Sequence, residues 1–161
     1  MVLSNFGFVL DTLNSPLASK NIHDQQYQLA SIERDFLKEP VAVNDLGMVS
    51  YYGHQPVLDL WGLGSIDALR ERIADPSGKW IGQAAQRKGV EFAFIYESWF
   101  PGLPQSWVKV GTLTLPDENI TTPFKTVQLF ATNEAAASRL RLAFARYRSS
   151  SPLAQQISRT P

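Results

Sequence analysis

Cysteine is absent from this 161-residue chain. Disulfides, thiolate metal sites and cysteine nucleophiles are therefore excluded, while the compartment stays open, because a disulfide-free domain folds on either side of a membrane. A charge excess of one sign is missing as well, since 15 Lys and Arg balance 15 Asp and Glu. No basic block stands outside one C-terminal helix pattern, so the electrostatic footprint of a nucleic-acid surface is not written into the chain and no nucleic-acid partner is expected. Long apolar runs are lacking too. The longest near the start, Phe6-Gly7-Phe8-Val9-Leu10, falls far short of the roughly 20 residues that span a bilayer, and it has neither a basic n-region nor a cleavage site. The chain alone is expected to be soluble. Histidine is scarce: His23 and His54 stand in no metal-ligand spacing. No serine occupies a G-x-S-x-G elbow. Neither a metal site nor a triad is indicated, and no cofactor is expected.

What is present is one domain's worth of alternating helix and strand signals, long enough to bury about two thirds of its unfolded surface. Residues 1–20 mix apolar residues with Ser, Asn and Pro without a period and read as an irregular lead-in. From Asn21 to Leu37, Ile22, Leu29, Ile32, Phe36 and Leu37 share one helical face. Val41–Asn44, Val57–Leu60 and Phe92–Tyr96 are short, uniformly apolar runs that read as buried parallel strands. Ser65 and Gly89 bracket two short helices broken at Asp75-Pro76-Ser77-Gly78. Residues Trp107–Leu115 and Thr126–Ala131 alternate apolar and polar positions and pair as an antiparallel hairpin, and Asn133 caps a last helix through Tyr147. The fold class is α/β: a small three-layer Rossmann-like domain with a mixed sheet of about five strands, three parallel plus the hairpin, flanked by helices. The single domain spans 21–148, and 149–161 is expected to be a flexible tail.

Polar chemistry is concentrated where the strands stop. Asn44 ends the first strand and Asp45 follows it, Asp59 lies one residue before the end of the second, and Glu97 follows the third, so these residues share the edge at which open α/β sheets keep their sites. Clustered carboxylates there suit a divalent cation or acid–base work. Strand-end Asp and Asn also cap the following turn through backbone N–H groups, and Asn44-Asp45-Leu46-Gly47 suits that role. Gly62-Leu63-Gly64-Ser65 sits between strand and helix as a phosphate loop does, but Asp67 stands where the dinucleotide fingerprint needs a third glycine. Tyr51, Tyr52, Trp61, Trp99, Phe100 and Trp107 are placed to form an aromatic rim along the same edge, suited to sugar stacking, to partner contact or to completing the core. The candidate ligand-binding residues are Asn44, Asp45, Asp59, Trp61, Glu97 and Trp99. Asn119-Ile120-Thr121 matches the glycosylation acceptor pattern.

Three separated blocks, Asn21-Ile22-His23-Asp24-Gln25-Gln26-Tyr27-Gln28-Leu29-Ala30, Val41-Ala42-Val43-Asn44-Asp45-Leu46-Gly47 and Leu58-Asp59-Leu60-Trp61-Gly62-Leu63-Gly64-Ser65, resemble in order and spacing the soluble C-terminal region of bacterial polytopic GT-C-type membrane glycosyltransferases, similar to lipid-phosphosugar-dependent mannosyltransferases. The likeness covers about residues 20 to 100. It implies that the parent protein's catalysis lies on acidic loops between membrane helices, outside this chain, so no catalytic residue is carried over. It further implies an extracytoplasmic domain packed on a membrane portion, with the stretch around Phe6–Leu10 leaving the last membrane helix.

The expectation is thus a non-catalytic extracytoplasmic accessory domain of a membrane glycosyltransferase-like protein, assisting saccharide or lipid-linked sugar binding. A free-standing α/β enzyme or nucleotide-binding module using Asp45, Asp59 and Glu97 is the first alternative. A structural or oligomerisation domain, with an apolar patch on residues 1–20 or on the hairpin edge, is the second. The chain fits an excised domain, a truncated product or a free-standing relative.

Overall fold

The computed structural model describes residues 6–159. Its first helical element is a composite. The α-helix α1 (Phe6–Ile22) continues through a π-helical stretch, His23–Tyr27, a short α-helical turn α2 (Gln28–Ser31) and a second π-helical stretch, Ile32–Leu37. Lys38 ends it in the left-handed conformation, φ 59°, with its N–H on the Glu33 carbonyl. The expected irregular lead-in is therefore helical from Phe6 onward. Thr12 to Pro16 are all exposed, so no inward face imposes the apolar period by which a packed helix is recognised. Pro16, which reads as a breaker, is accommodated inside α1.

Three short strands, β1 (Val41–Val43), β2 (Val57–Asp59) and β3 (Phe92–Ile95), pair in parallel with β1 in the centre. The hairpin strands β4 (Val108–Thr114) and β5 (Thr126–Ala131) are antiparallel, with a register shift between Lys109 and Gly111. The sequence leaves the hairpin's place in the sheet open, and the structure docks it through β5, which pairs antiparallel with β3. A two-residue strand β6 (Ser158–Arg159) covers the outer edge of β4, giving the order β2-β1-β3-β5-β4-β6. The expected flexible tail is thus folded in part. Helix α6 (Glu134–Ser150) is capped by Asn133, then Ser151 caps α7 (Pro152–Ile157), with Pro152 in its first turn and Ala154 and Ile157 buried. A Ser-Pro pair is a helix start signal, and the apolar anchors behind it convert a polar tail into a docked turn.

The alternation of β1 divides the core into two layers. Val41 and Val43 join Phe92, Phe94, Val127 and Leu129 beneath Leu29, Ile32, Leu140 and Phe144. Ala42 faces the other way, with Leu58, Ala93, Ile95 and Phe130 against Ile81, Ala84 and Ala85 of α5 (Ile81–Lys88). Strands buried on both faces read as unbroken apolar runs, which is why they were legible. Helix α3 (Gly47–Tyr52) connects β1 to β2. Helix α4 (Ile66–Ala74) is peripheral: Ala68 is its buried residue, while Ile66 and Ile73 remain 58% and 69% exposed. Among the described residues no helix is long and apolar enough to cross a membrane.

One buried carboxylate fastens the first helix to the α3–β2 turn. Glu33 is fully buried and accepts the backbone N–H groups of His54 and Gln55, at 3.3 and 3.0 Å. Gly53 admits it, because a Cβ there would lie 2.4 Å from Glu33 Oε2 and 2.3 Å from the Val49 carbonyl. Burial pushes the Glu33 pKa up, against the pull of the two N–H groups and of His54 and Arg34. A carboxylate whose folded pKa is raised weakens the fold as pH climbs through that value, and costs nothing below its unfolded value. Glu33→Gln removes the charge and keeps an accepting oxygen for one of the two N–H groups, the loss of the other acceptor being a cost independent of pH. Its melting temperature relative to the parent protein is expected to improve between about pH 4, below the ordinary glutamate value of 4.5, and pH 8, and scanning calorimetry at both values checks this. An unchanged difference would show that the charge of Glu33 carries no penalty.

Candidate functional site

The C-terminal ends of β1 and β3 flank the point where the chain switches direction across the sheet, and ligands of open α/β sheets bind in the crevice this creates. Here the crevice is filled by the protein itself. Asn44 is 4% exposed, and its Oδ1 accepts the Tyr96 backbone N–H at 2.8 Å. Tyr96 donates its hydroxyl to Gln25 Oε1 at 2.6 Å, and Gln25 Nε2 donates to the carbonyls of Phe124 and Lys125 at 2.8 and 3.2 Å. Gln26 donates to Asp45, which also accepts the Gly47 N–H at 3.3 Å. What remains between these groups is a void of about 10 Å³, below the size that admits more than one water. Burial raises the pKa of Asp45, opposed by its two donors. Burial, then the nearby Asp45 charge, raises that of the Tyr96 phenol.

The filling comes from a polar stripe on the first helix. Asn21, Asp24, Gln25 and Gln28 lie at helical spacing and all are buried. Asn21 donates to the Glu118 carbonyl and accepts the Ile120 N–H, at 2.9 and 2.8 Å, latching the β4–β5 loop, and Gln28 Oε1 accepts from the Tyr147 hydroxyl at 3.3 Å. The expected inward face, with Ile22 and Phe36 on it, is corrected accordingly: both are only partly buried. The π-helical turn at His23–Tyr27 sets adjacent glutamines on two different targets, and such turns are common where a helix carries function.

Asp59 closes the second candidate. Its Oδ1 accepts the N–H groups of Trp61 and Gly62 at 3.0 and 2.9 Å, and its Oδ2 those of Gly64 and Ser65 at 2.7 and 3.2 Å. The glycine-rich loop therefore does form an anion cradle, and the anion in it is the chain's own carboxylate, 4% exposed. Gly62 has φ +83°, and a Cβ there would meet the Leu69 backbone at 2.6 Å. The strand-end Asp is a turn cap, and it takes the N–H groups of Trp61, Gly62, Gly64 and Ser65 that a phosphate would otherwise use. Glu97 begins a 3-10 turn, Glu97–Trp99, and pairs with Lys109. Asp45, Asp59 and Glu97 thus each engage separate donors. Among the described residues no three His, Asp or Glu side chains gather as a metal would need.

The aromatic rim divides into three groups. Trp61 and Trp99 lie 4.2 Å apart between ring centres, with Phe100 at 6.4 Å from Trp61 and the Arg72 guanidinium 4.0 Å over Trp61. Trp99 continues to Tyr96 and Phe124, at 5.2 and 6.2 Å. Tyr51 and Tyr52 instead join Tyr27 and His23, and Trp107 lies on Phe130. Of the candidate residues, Trp61 and Trp99 are brought together; Gln25, Gln26, Arg72 and Phe124 are additions the sequence reading missed. The polar i, i+3, i+4, i+7 spacing of Asn21, Asp24, Gln25 and Gln28 was the signal for Gln25. Asn119 of the glycosylation pattern is tied to Thr122 through both ends of its amide.

Besides a groove of about 320 Å³ lined by Leu46, Asp59, Gly64 and Ser65, two larger ones are found among the described residues. One of about 480 Å³ lies at the strand-end edge, beside Glu97 and Phe124. The other, about 730 Å³, lies at the opposite edge between α5 and Trp107. In that second groove Glu91 and Asn133 are bonded to each other and to Arg139 and the α6 N-terminus.

Residues 20–137 match the family model of a domain of unknown function (DUF8728). The chain belongs to this family. The match begins at the polar stripe of the first helix and runs into α6, so it encloses the whole strand-end network. No curated protein and no solved structure matches the chain.

The Asp59 cradle sets a clear expectation. Asp59→Ala leaves four N–H groups without their acceptor and should cost on the order of 3 kcal/mol or more, while Asp59→Asn, which keeps one accepting oxygen, falls between it and the parent. Urea unfolding monitored by circular dichroism reads both. An alanine variant as stable as the parent would mean that the cradle has another occupant.

Proposed function

We propose that this is a non-catalytic extracytoplasmic accessory domain of a membrane glycosyltransferase-like protein, which packs on that protein's membrane portion and assists the binding of a saccharide or lipid-linked sugar. The observation that carries the reading is the state of the strand-end carboxylates. Asp59 is held by four backbone N–H groups, Asp45 by Gln26 and Gly47, and Glu97 by Lys109. Acid–base or nucleophilic chemistry needs such a group aimed at a substrate, and here Asp45 and Asp59 are aimed at the fold while Glu97 is tied to Lys109. The aromatic bank of Trp61 and Trp99 beside them is half-buried with an Arg72 guanidinium over one ring. It offers apolar ring faces and a polar head together, which sugars use. The resemblance of the three sequence blocks to the soluble region of GT-C-type enzymes supplies the parent class, and the exposure of Thr12 to Pro16 on α1 leaves that helix available to a membrane portion.

A second reading, an oligomerisation domain, draws on Leu63, Ile66 and Ile73, which are 68%, 58% and 69% exposed around α4. The hairpin edge, where such a role was first expected, is covered by β6. Sedimentation of the purified chain separates this reading: a concentration-dependent dimer lost in Ile66→Asp favours it.

For the accessory-domain reading, tryptophan fluorescence is followed while the chain is titrated with a polyprenyl-phosphate sugar in detergent micelles and, separately, with nucleotide sugars and magnesium. A saturable change with the lipid-linked sugar, reduced in Trp99→Phe, and neither binding nor turnover of the nucleotide sugar are expected. Micromolar affinity for a nucleotide, or no response to the lipid-linked sugar, overturns the reading.

A further inference from the structure

The half of the sheet beyond Phe130 is uncovered on the α5 side. Along β5, Val127, Leu129 and Ala131 point into the core under α6, whereas Thr126 and Gln128 point to the opposite face, where Phe130 is the last residue of the second core layer. Thr126 and Gln128 are only half-buried, as are Thr112 and Thr114 opposite them on β4. At the strand-end edge this polar face runs into the groove of about 480 Å³ lined by Glu97, Ser98, Phe124, Lys125, Thr126 and Gln128. That volume lies within the range of about 300–1,000 Å³ typical of small-molecule sites.

We infer that this groove is a saccharide-binding site in which Phe124 is the stacking platform and Gln128, Glu97 and Lys125 read the hydroxyl groups; the inference rests on the accessory-domain reading and gives it a location. Phe124 is 42% exposed, which is unusual for a side chain so firmly supported. Its ring leans on Tyr96 at 5.3 Å and on Trp99 at 6.2 Å, and its carbonyl is held by Gln25. A rigid, exposed ring loses little freedom on binding, and the C–H face of a pyranose fits such a surface, as it does the amphipathic contacts Trp and Tyr make.

The polar groups beside it are also preset. Gln128 Oε1 accepts the Glu97 N–H at 3.0 Å, which fixes the amide and directs its Nε2 donors elsewhere. Glu97 contributes one carboxylate oxygen to Lys109 and keeps the other as an acceptor. Lys125 and Ser98 are exposed at the rim. Donors, an acceptor and an apolar platform thus surround one space, the arrangement a neutral ring with hydroxyls on its edge requires. A phosphate would meet the Glu97 carboxylate there, so the sugar itself, rather than a charged linkage, is the group the groove fits.

The groove at the opposite edge has a larger volume, about 730 Å³, but its floor includes Gly82, Ala85 and Gly89 and its aromatic residue, Trp107, is packed on Phe130. It has no exposed ring for a platform.

The test is a titration of the isotope-labelled chain with methyl pyranosides of glucose, mannose, galactose and N-acetylglucosamine, up to about 50 mM, because single-sugar sites are expected near the millimolar range. Shifts of the Gln128 side-chain amide and of the backbone at 96–98 and 124–128 are expected with at least one sugar. Phe124→Ala should weaken binding about tenfold, the upper end of an aromatic stacking contribution, with the rest of the spectrum unchanged, and Gln128→Glu, which keeps an acceptor for the Glu97 N–H but removes the side-chain donors, should weaken the backbone shifts at 96–98 and 124–128. Shifts confined to Trp61 and Arg72, or to the Gln83–Trp107 groove, would overturn the location and leave the accessory-domain reading standing. A folded spectrum that no sugar perturbs would overturn the site, whereas the lipid-linked sugar titration separately decides the wider reading.

Discussion

The hydrogen bond from the Tyr96 hydroxyl to Gln25, with Gln25 in turn held against the carbonyls of Phe124 and Lys125, ties together three elements distant in sequence. It joins the first helix to the end of β3 and to the start of β5. Tyr96 and Gln25 are both buried, and a buried polar group left without its partner costs roughly 1–3 kcal/mol, so neither can move alone. The helix cannot shift along the sheet without orphaning Tyr96, and the β4–β5 loop cannot open without orphaning Gln25. Asn21 repeats the latch one turn earlier. The edge of the sheet is therefore rigid, and anything it presents to a ligand is presented in one geometry.

That same constraint decides what the edge does not do. In an open α/β sheet the switch point and the glycine-rich loop are the two natural ligand sites. In this chain Gln25, Gln26 and Asn44 occupy the first and the carboxylate of Asp59 the second. An internal anion in the cradle is always at high effective concentration and bears four N–H bonds, so an external phosphate would have to displace a bonded, buried charge. The consequence is a Rossmann-like scaffold whose inherited positions serve stability. On the surface around them Trp61, Trp99 and Phe124 form one continuous aromatic series with Tyr96 as its buried root.

The strands were legible because they are buried on both faces and so appear as short unbroken apolar runs, and the Asn133 cap of α6 follows from residue type alone. Asp59 as a turn cap was legible in kind, although nothing in Asp59-Leu60-Trp61-Gly62 announces that one carboxylate would take four N–H groups. The first helix was half legible. A search for apolar periodicity finds Leu29 and Ile32 and passes over Asn21, Asp24, Gln25 and Gln28, because the inward face changes from polar to apolar along its length. Its earlier turns were hidden for the opposite reason: exposed Thr12 to Pro16 have no inward face to betray. Ile66 and Ile73 show the converse on α4, where apolar residues at helical spacing form a helix with nothing lying over them.

The change from polar to apolar along the first helix also explains why the groove beside Glu97 stays open. The polar half reaches past the core to the loop and strand ends on the α1 side of the sheet, and it fixes the Phe124 backbone from that side. Nothing equivalent crosses the opposite face, where α5 covers Ala42, Leu58 and Ala93 and the second core layer ends at Phe130. Two helices of similar reach on both faces would have closed the sheet completely. Because α5 has only eight residues, Ile81–Lys88, about 12 Å at 1.5 Å per residue, it cannot span all the strands. The polar end of β5 therefore faces water, with the half-exposed ring of Phe124 held at its corner.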